Sequence, residues 1–184
     1  MNSDFIQKLE KSTAHRPSRE SLSNEVCENP DLLQYLMGVF FNIKDRSHHK
    51  ACWVSELVFE KNIDWLSSYL DVFCKTLSSY SHDGALRSVS KICLFSASRH
   101  LKKLKSGEVF LTDNQLELMI ESCFDWLITD QKVATKAYAM RALYYFGKVK
   151  DWVYPELKVI LQQDYPNHSA AYKLASKEIL TKLK

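Results

Sequence analysis

The feature that most constrains this chain is that it matches itself at an offset of 86 residues. The stretch KACWVSELVFEKNIDWLSSYLDVF, from Lys50, lies over KAYAMRALYYFGKVKDWVYPELKVI, from Lys136. Lys50-Ala51 falls on Lys136-Ala137 and Leu57 on Leu143. After a one-residue gap, Asp64-Trp65 falls on Asp151-Trp152, and Leu70-x-Val72 on Leu157-x-Val159. The offset is twice 43, and a period of ~40–47 residues is that of stacked helix pairs. Each pair in such an array buries its apolar stripe only against its neighbours, so the repeat predicts a linear stack with covered ends.

The rest of the chain agrees with helices. Apolar residues recur at three- and four-residue intervals, glycines and prolines number four each, and Asp83-Gly84 lies between helical patterns, not between alternating strands. The expected class is all-α. First helices of each pair (A) are predicted at 31–42, 63–80, 112–128 and 151–164; second helices (B) at 47–61, 83–103, 132–147 and 168–182. Thr112-Asp-Asn-Gln115 reads as a capping box, Asn167 as the cap of the last helix, and Gly147 as a C-terminal stop. Pro155 is tolerable only in a first turn, so a helix starts just before it. A helix at about 18–28 with a short one before it would cover the first pair. This gives one domain: a cap over 1–29 and helix pairs over 30–62, 63–105, 111–148 and 151–184.

The B segments carry a resemblance. KAYAMRAL (136–143), RSVSKICL (87–94), KLASKEIL (173–180) and KACWVSEL (50–57) follow a basic-x-small-small-x-x-small-Leu pattern. The basic slot is filled by Lys50, Arg87, Lys136 and Lys173, and aspartates precede it at Asp45, Asp83, Asp130 and Asp164. Over residues 30–184 this resembles the HEAT-like α-solenoids. The resemblance implies a right-handed α-α superhelix of about four helix pairs, with B helices on the concave side and A helices on the convex side. The chain also resembles a group of short bacterial helical proteins labelled adenylosuccinate lyase. The lyase loop S-S-x-M-P-x-K-x-N that this label implies does not occur in it.

Several chemistries fail on residue count. HHKACW (48–53) offers His48, His49 and Cys52 on one helix face, but no second cluster completes a metal set. Cys52 aligns with Val89, Tyr138 and Ala175, a packing slot. The five cysteines (Cys27, Cys52, Cys74, Cys93, Cys123) are odd in number, lack a C-x-x-C pair and lie on apolar stripes. They read as buried free thiols of a reducing, cytoplasmic setting. No Walker loop, G-x-G-x-x-G, G-x-S-x-G or H-E-x-x-H occurs, and no cofactor is expected. Hydrophobic residues are 46% of the chain, yet no run approaches the ~18 consecutive apolar residues of a membrane span. The start, MNSDFIQKLEKS, has no secretory pattern.

Asp64-Trp65 and Asp151-Trp152 open A helices at equivalent positions. There the aspartate complements the helix dipole and the indole packs on the next layer. Charge gives the functional expectation. Residues 112–128 carry Asp113, Glu117, Glu121 and Asp125 with no lysine or arginine, while the following segment carries Lys132, Lys136, Arg141, Lys148 and Lys150. Basic residues at helix C-termini partly answer dipoles, and Arg87 and Lys136 are expected to pair with turn aspartates. Left to face a groove are Lys91, Arg99, Arg141, Lys173 and Lys177. The leading expectation is a non-catalytic binding protein that takes a protein or acidic peptide on this face. The alternative is nucleic acid, including a protein resembling the HEAT-like alkylpurine DNA glycosylases, with Trp53, Asp83, Arg87 and Arg141 as its candidates.

Overall fold

The structure, a computed structural model, describes residues 3–183. It has ten α-helices joined by turns and short 3-10 segments, with no strand among the described residues. The helices are α1 (Ser3–Lys11), α2 (Arg16–Glu28), α3 (Leu33–Phe41), α4 (His48–Lys61), α5 (Leu70–Thr76), α6 (Asp83–Lys105), α7 (Asp113–Ile128), α8 (Val133–Phe146), α9 (Val153–Asp164) and α10 (Ala170–Lys182). The chain is all-α, as its periodicity requires. It divides into two compact units, Met1–Ile92 and Cys93–Lys184, with the boundary inside α6.

In the first unit α4 packs on both α3, its A partner, and α2. Phe5 and Leu9 of α1 and Val26 of α2 are fully buried, so both helices cover the first pair. The B-helix motif explains how the helices approach: Ala51, Cys52, Val54 and Ser55 of α4 are all fully buried. Gly84, at the start of α6, is needed for the same reason. A Cβ there would sit 2.7 Å from Nε1 of Trp53.

The second A helix differs from expectation. The segment predicted as one helix over 63–80 is a 3-10 stretch Ile63–Tyr69, then α5, then a 3-10 turn Leu77–Ser79. Thr76 Oγ1 donates back to the Val72 and Phe73 carbonyls at 2.9 and 3.1 Å, competition that loosens a helix end. Serines at 67, 68, 78 and 79 add the same local competition for backbone bonds.

In the second unit α8 is central, packing on α7, α9 and α10. Here the capping signals mostly hold. Thr112 Oγ1 accepts from the Gln115 N–H and Gln115 Oε1 accepts from the Thr112 N–H, a complete capping box. The last helix corrects the expectation: Ser169, not Asn167, caps it, accepting from Tyr172 N, and α10 starts at Ala170. Residues 165–167 form a 3-10 turn instead. Gly147 does follow α8, but at φ −63° and ψ −12° it needs no left-handed freedom. Its requirement is space, since a Cβ would lie 2.1 Å from the Tyr154 ring. The fourth pair's A helix begins later than expected: α9 starts at Val153, leaving Asp151 and Trp152 in the preceding turn.

Candidate functional site

The four basic slots meet different groups. Lys50 donates to the Glu10 carbonyl near the end of α1, tying the covering helix down. Arg87 lies 3.5 Å from Glu56. Lys136 is buried with its ammonium 5.9 Å from the Tyr172 ring centroid, and Lys173 stands at the same distance from Tyr165. Two of the turn aspartates act locally. Asp45 accepts from the Ser47 N–H at 2.7 Å, and Asp164 accepts from the Tyr172 hydroxyl at 3.0 Å.

Among the groove cations, Lys91 and Arg141 each meet a carboxylate. Lys91 of α6 donates to Glu56 at 3.0 Å and Glu60 at 3.2 Å, both on α4. Burial works against the Lys91 charge, but the hydrogen bonds to Glu56 and Glu60 outweigh it and hold the ammonium above its ordinary value. Glu56 is only 2% exposed and also accepts from Ser88 Oγ at 2.7 Å. Sequence reasoning missed this residue. Its repeat slot holds Cys93, Ala142 and Ile179 elsewhere, and a charge in a slot of small or apolar residues was the available signal. Arg141 of α8 gives two hydrogen bonds to one oxygen of Glu178 on α10, at 3.1 and 2.7 Å. These residues are 37 apart, the spacing from Lys136 to Lys173, so adjacent B helices lie in register. Lys182 takes the other Glu178 oxygen at 2.9 Å. Arg141 and then Lys182 hold the Glu178 carboxyl below its usual range.

Lys177 and Lys173 lie on α10, Lys177 exposed and Lys173 half-buried, and Arg99 is half-buried on α6. Lys150 pairs with Asp113 at 3.3 Å and Glu117 at 3.0 Å, so the acidic helix α7 and the basic segment after it partly neutralise each other.

In the second unit the B helices border a partly open hollow of about 200 Å³. Leu94 and Phe95 of α6, Tyr144 and Tyr145 of α8, and Ile179 of α10 give its walls. Arg141, Glu178 and Lys182 also line it, and their side chains are partly exposed to solvent. Tyr144 is half-buried and has Lys148 at 5.0 Å and Lys182 at 5.4 Å from its ring centroid. Of the other tyrosines considered as stacking groups, Tyr172 is core, while Tyr138 and Tyr145 are half-buried.

The histidines of HHKACW form a ring cluster with His82 and Trp53. His49 stacks on His82 at 4.3 Å, with Trp53 edge-on at 4.9 Å and His48 nearby. No group of three or more His, Cys, Asp or Glu suited to a metal occurs among the described residues. Burial, then the charges of His82, His48 and Lys50, push His49 below its ordinary value. Cys52 is fully buried and its thiol is pushed far up by desolvation; Cys74 is pushed up to about 12 by burial and then by Asp71. Cys27 alone of the five is half-buried, and its Sγ accepts from Asn62 at 3.6 Å. Trp53, a candidate of the glycosylase-like alternative, is packed against His49 and Gly84. Trp152 is 46% exposed and stacks on Phe124 of α7 at 5.8 Å. Trp65 borders a surface hollow with Leu33 and Gln34 of α3.

Paired helices, small residues along each B helix and B-to-B ion pairs in register define a helical-repeat scaffold. A family model for the HEAT repeat domain matches residues 5–183, and the chain belongs to that family. No curated protein and no solved structure matches it. No helix among the described residues is long and apolar enough to cross a membrane.

Proposed function

We propose that this chain is a non-catalytic HEAT-repeat binding protein that takes an acidic protein segment on its basic B-helix face. The supporting observation is the composition of the α6–α8–α10 hollow. Apolar and aromatic walls adjoin Arg141, Lys148 and Lys182, against one carboxylate, Glu178. Lys173 and Lys177 add positive charge on α10, and Arg99 on α6. A face of this kind steers acidic partners and contributes mainly to encounter rate and specificity. Lys91 has a second role as the counter-ion of buried Glu56, so its removal tests stability before it tests binding.

The experiment is a pair of titrations at ~50 and ~200 mM salt, where a phosphate backbone loses affinity steeply. One uses a labelled polyglutamate peptide and the other labelled duplex DNA. Binding of the peptide that is lost in a Lys173→Glu, Lys177→Glu protein with unchanged circular dichroism supports the reading. Tight, salt-sensitive binding of DNA with none of the peptide transfers the face to nucleic acid. If neither probe binds at low salt, the basic face is not a binding face.

A further inference from the structure

We infer that the hollow between α6, α8 and α10 is a socket for one apolar side chain, aromatic by preference, presented by a segment with flanking carboxylates. The inference rests on the binding reading above and assigns the partner's chemistry.

Three observations carry it. The first is size. Its volume of about 200 Å³ is below the ~300–1,000 Å³ of pockets that hold drug-sized ligands, and it suits a single ring or branched chain. The second is the lining. Phe95 and Tyr145 offer aromatic surface and Leu94 aliphatic surface, all three half-buried, so a buried ring gains contact on several sides. The third is charge. Both oxygens of Glu178 are already engaged, one by Arg141 and one by Lys182. Lys182 and Lys148 nevertheless both stand about the Tyr144 ring, and like charges held around one ring repel. A carboxylate arriving beside the inserted side chain relieves that repulsion. A cationic segment aggravates it.

The geometry also ranks the contributions. The rim charges are solvent-accessible, so they set charge sign and encounter rate and contribute little affinity each. The socket sets which residue of the partner is the anchor, as buried aromatic anchors do at interfaces.

The test uses the full chain and three fluorescein-labelled peptides: glutamates around a central phenylalanine, the same with central alanine, and lysines around the phenylalanine. The expected result is about tenfold tighter binding of the first over the second, the scale of one buried ring, and no binding of the third. Ser98→Phe, which fills the hollow from α6, should erase the phenylalanine preference while leaving the alanine peptide bound as before. If that variant does not fold, Tyr144→Leu, which removes the ring between the two lysines, must lose the same preference. Equal binding of the phenylalanine and alanine peptides overturns the socket and leaves the basic face standing. Binding of neither acidic peptide overturns the face itself, and tighter binding of the lysine peptide overturns the assigned charge.

Discussion

Glu56 is the residue at which this repeat departs from its own pattern. A carboxylate with 2% exposure survives only if its charge is met, and Ser88, Lys91 and Arg87 meet it from α6. Lys91→Met therefore lowers unfolding free energy by about 3 kcal/mol, because it strands a buried charge that Arg87 and Ser88 only partly answer. Adding Glu56→Leu, which restores the apolar character of the slot, should recover most of that loss. Urea denaturation of both single variants and the double variant checks the cycle, and additive effects would mean no coupling. Gly147→Ala makes a second residue-level case. Its φ is ordinary, so the expected cost of about 1–3 kcal/mol is steric, from the Tyr154 ring. Thermal melts in which Gly147→Ala matches the wild type would show that the ring swings clear.

At the scale of elements, the caps separate what the sequence made legible from what it did not. Thr112-x-x-Gln115 was readable because both halves of a capping box lie three residues apart in one string. Asn167 and Ser169 are each good caps, and the choice between them depends on the Tyr165–Asn167 turn, which no local pattern specifies. Ser169→Ala should cost about 1 kcal/mol while Asn167→Ala costs little, measured by chemical denaturation. The all-helical repeat and the α1–α2 cover were legible because small residues must recur wherever B helices touch. The break within 63–80 was not, because serine and threonine hydroxyls decide between helix and turn through bonds to the backbone. The basic slots were legible as positions, but the contacts of Lys50 and Lys136 were not. A lysine long enough to reach an aspartate also reaches the Glu10 carbonyl or a tyrosine ring. The hollow was invisible for a different reason: its walls come from three helices with unequal spacing in the chain.

At the scale of the whole molecule, acid is the condition that tests the packing most broadly. His49 is held below its ordinary value by desolvation and neighbouring positive charge. His100 is held below its own by burial, with its Nδ1 accepting from the Leu111 N–H at 3.0 Å. Unfolded, both titrate near ~6.5. The unfolded chain therefore binds protons first, so their stability contribution is complete above about pH 6.5 and declines as pH falls through the folded values. Melting temperature should drop between about pH 7 and about pH 5, and His100→Gln, which keeps an acceptor but cannot titrate, should flatten part of that fall. A wild-type melting temperature independent of pH over this range would contradict the assignment.

The boundary between the two compact units lies within a continuous helix, whereas the connection after α6 contains Gly107 at φ 75° and Val109 at 70% exposure. Proteases cut where backbone can be drawn into an extended shape, and a helix interior resists that. Brief digestion should thus nick the chain near residues 106–110 and spare the boundary, so the fragments released will not be the units that fold.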